Sequence, residues 1–361
     1  TSEVSYNQFL DWCNQQGVPL PFKVLQVLNR GTHGWVEYVE RLSCKDEAAA
    51  QRFYQRAGML LSILYVLGGT DCHYENLIAS GEHLVLIDME TLMHHDASIF
   101  VGSLERTNDQ TEANQKFLDS VLRTGLLPYW ELKKETIAYD VSGLGNLNYQ
   151  KTSRHTQVWK SINTDDMHLG YDEIPVSIPQ NVPTLNGVEL SPNNYIDHLV
   201  AGFKQMYSFV IDQREVLIDE NSPLASFQSQ QVRFVFRATQ VYFTILQKTL
   251  SPNFLQNGVD RSIELDILSR AFLVAEKKPF VWPIFHAELK AMETLDVPYF
   301  EAFSDSDALT ISSLEKPIEH YFKEPSYEKV IWRLRNLNKA DFTSSSIGAT
   351  TRHVIMKIGN I

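Results

Sequence analysis

The hydrophobic pattern is clearest between Ser43 and Leu67, where it predicts a long buried helix. Residues 48–50 are three alanines, which favour helix formation. Apolar side chains then recur on one helical stripe, formed by Phe53, Ala57, Leu60, Leu61, Leu64 and Leu67. Ser43 and Asp46 have the spacing of a capping box at the start of this helix, and Gly68-Gly69 predicts its end.

A polar loop and then a hairpin are predicted directly after this helix. The loop covers residues 70–76. The apolar runs 77–79 and 84–87 flank Ser80-Gly-Glu-His83, which predicts two short paired strands. Two acidic residues, Asp88 and Glu90, follow the second strand. The order along the chain is therefore buried helix, polar loop, hairpin and acidic end.

The rest of the chain is predicted to be mainly helical. Residues 101–192 carry scattered glycine and proline, which predicts loops and short elements. A helical stripe returns at Tyr195, Leu199, Phe203 and Tyr207. Residues 232–239 alternate with period two, which predicts an extended segment with Arg233, Val235, Arg237 and Thr239 on one side. A helix over 240–250, ending near Pro252, and further helices over 262–340 complete a fold that is mainly α with small β-hairpins (α+β).

The polar loop and the acidic end have the spacing of a phosphoryl-transfer site. Kinase-type sites place a catalytic Asp five residues before an Asn ligand, and a second acidic ligand for Mg²⁺ comes later. Here Asp71 precedes Asn76 by five residues, and Asp88 follows Asn76 by twelve. The hairpin would hold Asn76 and Asp88 side by side, and such oxygen ligands suit Mg²⁺. His73 is a candidate base, or a donor to the transferred phosphoryl group.

Each of these residues also has an ordinary structural explanation. Asp71 and Asn76 are residue types that stabilise turns, and Asp88 is placed to cap a strand end. Glu90 is either a further metal ligand or the first-turn acid of a helix that begins at Thr91. The order of loop, hairpin and acidic pair after a buried helix favours catalysis over these alternatives.

Composition narrows the class of protein. The chain has 361 residues, 43% of them hydrophobic, and a net charge of −12, which argues against general binding to nucleic acid or to an anionic membrane. Cys13, Cys44 and Cys72 are widely spaced, so neither a disulfide framework nor a cysteine zinc site is indicated, and a cytoplasmic location is expected. His94-His95 has no third ligand nearby, so we interpret the pair as structural or solvated. No apolar run approaches the length of a membrane span.

Longer segments carry a resemblance to a known family. They are Gly34-Trp-Val-Glu37, Phe53-Tyr-Gln-Arg-Ala-Gly-Met-Leu-Leu61, Thr70-Asp-Cys-His-Tyr-Glu-Asn-Leu-Ile-Ala79, Leu86-Ile-Asp-Met-Glu-Thr-Leu92, Arg233-x-x-x-Arg237-x-Thr239-x-x-Tyr242 and Asp296-Val-Pro-Tyr-Phe300. Together they resemble the dehydratase domain of class II lanthipeptide synthetases, the LanM family. The loop and the Ile-Asp that follows it are also similar to the catalytic core of phosphoinositide-type lipid kinases.

This resemblance implies a two-step reaction. Ser and Thr of a ribosomally made precursor peptide are phosphorylated with ATP and Mg²⁺, and the phosphate is then eliminated. By position, the resemblance assigns phosphorylation to Asp71, His73, Asn76, Asp88 and Glu90, the last three at the nucleotide and the metal. It assigns elimination to Arg233 and Thr239, with Arg237 as a further candidate. From the residues alone, the two arginines would instead be structural ion pairs on a strand.

The resemblance also implies a division of the chain. Residues 1–110 would form a lipid-kinase-like C-lobe with the catalytic and metal loops, 111–340 the helical remainder with the elimination segment, and 341–361 a linker. Both ends look cut. We therefore expect a nucleotide-contacting Lys and an Asp-x-His pair before Phe9, and a cyclase domain that binds zinc after Ile361. We expect this chain alone not to turn over ATP.

Two other functions remain open at this point. One is a kinase of a lipid, a protein or a small molecule that lacks the elimination step. The other is a non-catalytic scaffold that binds a peptide. Intact Asp71, Asn76 and Asp88 argue against the scaffold, whereas the segment from Arg233 to Thr239 favours the dehydratase only through the family resemblance.

Overall fold

The computed structural model describes residues 1–96, 119–128, 130–132, 138–145, 153–175, 179–234, 236–272, 282–311 and 316–339. The α-helices in these ranges are α1 (Ser2–Gln15), α2 (Glu47–Val66), α3 (Ile196–Asp212), α4 (Arg214–Leu217), α5 (Thr239–Thr249), α6 (Pro252–Leu255), α7 (Gly258–Leu265), α8 (Trp282–Glu293) and α9 (Ser326–Asn336). Short 3₁₀ turns occupy Tyr74–Asn76, Val121–Thr124, Pro192–Tyr195, Ala225–Phe227 and Asp266–Phe272.

The strands are short and antiparallel. Five hairpins are β1 (Val27–Asn29) with β2 (Gly34–Val36), β3 (Leu77–Ser80) with β4 (His83–Leu86), β5 (Trp130–Leu132) with β6 (Ala138–Asp140), β7 (Ser153–Lys160) with β8 (His168–Pro175), and β9 (Thr184–Leu185) with β10 (Val188–Glu189). A three-stranded sheet contains β11 (Gln231–Phe234), β12 (Phe300–Phe303) and β13 (Leu309–Ile311), in that order. The predicted fold class, mainly α with small hairpins, is confirmed.

The central helix α2 packs along α3 through two glycines. At Gly58, an added Cβ would overlap the Leu199 carbonyl of α3, and at Gly202 it would overlap the Gln55 carbonyl of α2. The two helix backbones therefore touch, and any side chain at either position would push them apart. This contact fixes α2 as the buried axis of the molecule, and the candidate loop follows directly from its end.

The ends of α2 correct one prediction and confirm another. Asp46, not Ser43, is the N-cap, because its carboxylate accepts the Ala49 N–H at 2.7 Å. The Ser43 hydroxyl instead lies 2.7 Å from the Thr184 hydroxyl. The helix ends at Val66, before Gly68, whose φ of 65° is the left-handed conformation that glycine adopts without strain.

The hairpin and the later helices are also largely as predicted. β3 and β4 pair around Gly81-Glu82, with Leu77 opposite Leu86. The stripe from Tyr195 predicted α3, and α5 agrees with the predicted helix to within one residue at each end. The extended segment was wrong beyond Phe234, because β11 ends there and Thr239 already begins α5.

Two apolar clusters organise the described residues. The larger joins α1, α2, the β3–β4 hairpin, α3 and α9, and the smaller lies between the β11–β13 sheet, α5 and α8. The larger cluster takes residues from both sides of position 110, where the division of the chain was predicted, and that division stays a prediction. The predicted linker, 341–361, lies outside the described residues.

The state of the cysteines and the hydropathy of the helices can be described for part of the chain. Cys13, Cys44 and Cys72 are all free and buried. In the described part of the chain, none of the helices combines the length and the apolar character needed to cross a membrane.

Candidate active site

The loop between α2 and β3 is held in one conformation by hydrogen bonds from three directions. The Thr91 hydroxyl donates to the Thr70 carbonyl at 2.6 Å, and the Cys72 N–H donates to the Thr124 carbonyl at 2.9 Å. From within the loop, the Asn76 side-chain amide donates to the Asp71 carbonyl at 2.9 Å. These bonds hold Asp71 at a φ of 58°, a backbone conformation that is uncommon outside glycine. An unusual conformation held by the surrounding structure is frequent at functional sites.

Asp71 is a candidate catalytic residue that is open to solvent. Its side chain is 53% exposed. Protein atoms packed around the carboxyl nevertheless raise its pKa, and the charge of His73 opposes that rise. Among the more distant charges, Asp88 raises the pKa and Arg233 lowers it. Asp88 and Arg233 therefore lie close enough for their charges to act on the Asp71 carboxyl.

The His73 ring has a defined tautomer. Its Nδ1 accepts the Glu75 N–H at 3.1 Å, so the proton of the neutral ring is on Nε2. Nε2 lies 3.6 Å from Asp71 Oδ1, slightly beyond hydrogen-bonding distance. His73 in this form can donate a hydrogen bond into the site.

The hairpin brings the backbone of Asn76 beside Ile87, the residue before Asp88, and a metal site shared by Asn76 and Asp88 stays a prediction. The Ile87 N–H donates to the Asn76 carbonyl at 3.0 Å, which continues the β3–β4 ladder by one more pair. Asp88 is the next residue after that pair, and one of its carboxylate oxygens accepts the Glu90 N–H at 3.1 Å. The backbone of this pair thus places an amide oxygen and a carboxylate on neighbouring positions.

This donor set fits Mg²⁺ bound together with nucleotide phosphates. Mg²⁺ typically takes only one or two carboxylates from a protein and completes its shell with phosphate and water. The predicted ligands match this pattern, with one carboxylate from Asp88 and one amide oxygen from Asn76. Among the described residues, no group of three or more His, Cys, Asp and Glu side chains converges on a potential metal position, so the protein alone offers no closed metal cage there.

Glu90 is engaged with Arg233. The Arg233 guanidinium forms an ion pair and hydrogen bond with the Glu90 carboxylate. It also lies over the Tyr299 ring, 5.8 Å from the ring centre. Residues 91–93 form a turn, so the interpretation of Glu90 as the first acid of a helix is wrong. The structure therefore brings Arg233 onto Glu90, one of the two acidic residues that follow the hairpin.

Arg237 lies in a different environment. Its guanidinium bonds Glu288 at 2.6 and 3.2 Å and the Leu268 carbonyl at 3.1 Å. The Tyr242 hydroxyl donates to the same Glu288 carboxylate at 2.6 Å. Glu288 is fully buried, and burial raises its pKa while Arg237 and Tyr242 oppose that rise. The expectation that Arg237 shares one face and one anion with Arg233 fails because the strand ends at Phe234.

Thr239 is exposed at the first position of α5. The prediction that it shares an extended face with Arg233 fails for the same reason. Its assignment to elimination stays a prediction from the family resemblance.

The sequence left His94 and His95 as structural or solvated, and the structure shows His95 to be structural. His95 is buried, its Nε2 lies 3.0 Å from the Ser306 carbonyl, and its ring stacks against Phe322. Burial lowers the pKa of His95 to about 4. The burial and the lowered pKa indicate that the His95 ring is neutral and packs in the core.

Tyr299 is the residue of the site that sequence reasoning did not single out. It belongs to the segment Asp296-Val-Pro-Tyr-Phe300, which entered only through the family resemblance. It reaches Arg233 because β12 pairs with β11, with Arg233 opposite Glu301. A pairing between strands so distant in sequence has no local spacing signal, so only the resemblance pointed to this segment.

Comparison with known proteins shows which family the chain belongs to. A family described as "Domain of unknown function (DUF4135)", a domain found in LanM-type proteins, matches residues 1–302. This chain belongs to that family. The resemblance to class II lanthipeptide synthetases is thereby confirmed.

One similar relative is described as the "Lacticin 481/lactococcin biosynthesis protein LcnDR2" of Lactococcus lactis subsp. lactis. It is 26% identical to this DUF4135 chain over 332 residues, which cover 89% of the chain. The match covers 34% of the relative, so the chain spans about a third of that protein's length.

Proposed function

We propose that this chain is part of a dehydratase domain that carries out ATP-dependent dehydration of Ser and Thr in a lanthipeptide precursor, by phosphorylation and then elimination of phosphate. The observation that carries the proposal is the contact between Arg233 and Glu90. A site that both adds and removes phosphate needs a cation where the leaving phosphate gathers charge.

In the first step, Asp71 accepts the proton of the peptide hydroxyl as its oxygen attacks the γ-phosphorus of ATP. The bond from that phosphorus to the bridging oxygen of ADP breaks. His73 donates from Nε2 to the transferred phosphoryl group. Asn76 and Asp88 would hold Mg²⁺, which would screen the charge of the phosphates.

In the second step, a base takes the Cα proton of the phosphorylated residue, the electron pair of that C–H bond forms the Cα–Cβ double bond, and phosphate leaves with the electron pair of the Cβ–O bond. Arg233 binds the departing phosphate, since its planar guanidinium matches two phosphate oxygens. Thr239 is the second proposed elimination residue. Arg237 does not act on phosphate, because its guanidinium is occupied by the buried Glu288.

The test is co-expression of the full-length protein with the short Ser/Thr/Cys-rich peptide encoded beside its gene, followed by mass spectrometry of the peptide. Loss of water supports dehydration. Stable phosphate on the peptide would favour a plain kinase, and an unmodified peptide would favour a scaffold.

Two variants divide the steps. Asp88→Ala should abolish both phosphorylation and dehydration. Arg233→Ala should still phosphorylate the peptide, and phosphopeptide should accumulate, because a cation for the leaving group speeds loss of phosphate more than its addition. Fully dehydrated peptide from Arg233→Ala at the parent rate would contradict the role of Arg233.

A further inference from the structure

A groove open to solvent lies beside Tyr299. It has a volume of about 460 Å³ and runs between the C-terminal end of α8 and the segment that leads into β12. Lys290, Thr294, Asp296, Val297 and Tyr299 line it. Phe300 at its floor pairs across the sheet with Phe234, the residue after Arg233. The groove and the candidate active site therefore share one wall.

Tyr299 is that wall. Its side chain is 47% exposed, lines the groove, and also contacts the Arg233 guanidinium with its ring. The pKa of Tyr299 is raised mainly by burial, and Glu90 adds to the rise while Arg233 opposes it. A molecule lying in the groove would thus touch the same ring that holds the arginine of the site.

The lining favours a peptide over a nucleotide. It offers one ammonium, from Lys290, and one carboxylate, from Asp296, so its formal charge is balanced. A nucleotide phosphate would meet the Asp296 carboxylate, whereas a peptide strand presents neutral amides, hydroxyls and apolar side chains that suit a mixed surface. An extended peptide advances about 3.3 Å per residue, so the 5.8 Å from the tyrosine ring to the guanidinium corresponds to about two residues.

We propose that this groove binds the residues of the precursor peptide next to the reacting Ser or Thr, with Tyr299 as the wall between groove and reaction site. The inference rests on the proposed function and adds to it a location for the substrate. It makes Tyr299 a positioning residue for Arg233 and Val297 a determinant of peptide affinity.

Site-specific cross-linking tests the location directly. A photoreactive phenylalanine analogue replaces the exposed Lys290 in the full-length protein, and the same analogue at Glu293, exposed on α8 but outside the groove, is the matched control. Irradiation with the precursor peptide should give cross-links from position 290 to residues within a few positions of a modified Ser or Thr. Cross-links only to the unmodified N-terminal part of the peptide, a yield no higher than from position 293, or protection by ATP alone would overturn the proposal.

A steric variant tests the consequence for function. Val297 is 37% exposed, so Val297→Trp would fill the groove without entering the core. It should raise the KM for the peptide about tenfold, with the KM for ATP unchanged, and Glu293→Trp should change neither. An unchanged peptide KM in Val297→Trp would overturn the groove. Dehydration by the parent protein is measured in the same experiment and separates the two hypotheses. If the parent protein does not dehydrate the peptide, both the proposed function and the groove proposal fail. If the parent protein does dehydrate it, the Val297→Trp result tests the groove proposal alone.

Discussion

Arg233 is the residue at which the two proposed steps meet, because its partner Glu90 is also a candidate metal ligand. Glu90 is a weaker ligand for Mg²⁺ while it is paired with the guanidinium, because the two cations repel each other and share one carboxylate charge. If the two cations compete, removal of one should strengthen binding of the other. The Arg233–Glu90 pair is partly exposed, so removing Arg233 should change the free energy of Mg²⁺ binding by about 1 kcal/mol or less.

The first prediction follows from this competition. Arg233→Ala in the full-length protein should tighten Mg²⁺ binding in the presence of ADP by up to about fivefold, measured by titration calorimetry. In a Glu90→Gln background the same change should have little effect, because the shared carboxylate is gone. Equal tightening in both backgrounds would mean that Arg233 acts only through the general charge of the site.

His95 supports a prediction about acid stability. Its pKa is lowered to about 4 by burial, from an ordinary value near 6.5, so the unfolded state takes up a proton first as the pH falls. Between pH 6.5 and 4 this residue should reduce the free energy of unfolding by up to about 1.4 kcal/mol per pH unit, and below pH 4 it should contribute no further loss.

His95→Gln should make that pH dependence shallower, because glutamine can still donate to the Ser306 carbonyl but does not titrate. Urea unfolding at a series of pH values measures the slope. His33→Gln, at an exposed position, removes one histidine elsewhere and serves as the matched control. Identical slopes for parent and His95→Gln would show that His95 is not a source of the acid sensitivity.

At the scale of elements, the buried cluster of Arg237, Tyr242 and Glu288 joins the start of α5 to α8. Removing one partner of a buried ion pair leaves an uncompensated charge and costs about 3–5 kcal/mol. Arg237→Ala should therefore lower the thermal midpoint and the soluble yield, and phosphorylation and dehydration should fall together. Arg237→Ala with Glu288→Gln should recover part of the stability, because the unpaired charge is then gone.

This third prediction tests whether Arg237 supports the fold, in contrast to Arg233, which is proposed to act in elimination. If Arg237→Ala folded with parental stability and accumulated phosphopeptide, Arg237 would belong to the elimination step after all. Thermal unfolding and peptide mass spectrometry on the same preparations distinguish these outcomes.

Elements with local signals could be predicted from the sequence. The stripe of α2, the hairpin around Gly81-Glu82 and the stripe of α3 each lie within about twenty residues, and the structure confirms them. The backbone pair between Asn76 and Ile87, just before Asp88, extends the same hairpin. In these cases the spacing of apolar and turn residues is itself the physical cause of the element.

Features that depend on distant partners could not be predicted. The Ser43 hydroxyl pairs with Thr184, so the capping role passes to Asp46. Arg237 has the right spacing for a strand, but its partner Glu288 is reached only where the chain bends after β11. The eight-residue strands of the β7–β8 hairpin were likewise missed, because the scattered glycine and proline around them favoured loops.

At the scale of the whole molecule, α9 returns from the far end of the described chain to the end of α2. Arg333 of α9 is buried, and its guanidinium donates to the Tyr65 and Val66 carbonyls at 2.9 and 3.0 Å. These are among the carbonyls that a helix end leaves without partners, and a cation there also interacts favourably with the helix dipole. The guanidinium lies over the Tyr65 ring as well, 5.2 Å from its centre.

This contact gives α9 a role in the site, because the loop with Asp71 begins four residues after α2 ends. Gly68 itself lies against Arg333, since a Cβ added there would meet the guanidinium at 3.5 Å. Arg333 therefore fixes the point from which the loop departs, and losing it should loosen the loop before it disrupts the core.

The last prediction is that Arg333→Met lowers the stability of the protein by about 1–3 kcal/mol, because the buried Val66 carbonyl loses its donor and the Tyr65 carbonyl keeps only the Gly68 N–H. Methionine keeps the apolar packing of the side-chain stem, so the loss reports on the guanidinium group, with its hydrogen bonds and its charge. Amide hydrogen exchange should increase in residues 67–76 more than in α3, which packs on the other part of α2. Arg335→Met, an exposed arginine on the same helix, should leave both stability and exchange unchanged. Faster exchange spread evenly over α2 and α3 would instead mean that Arg333 supports the core as a whole, and not the loop.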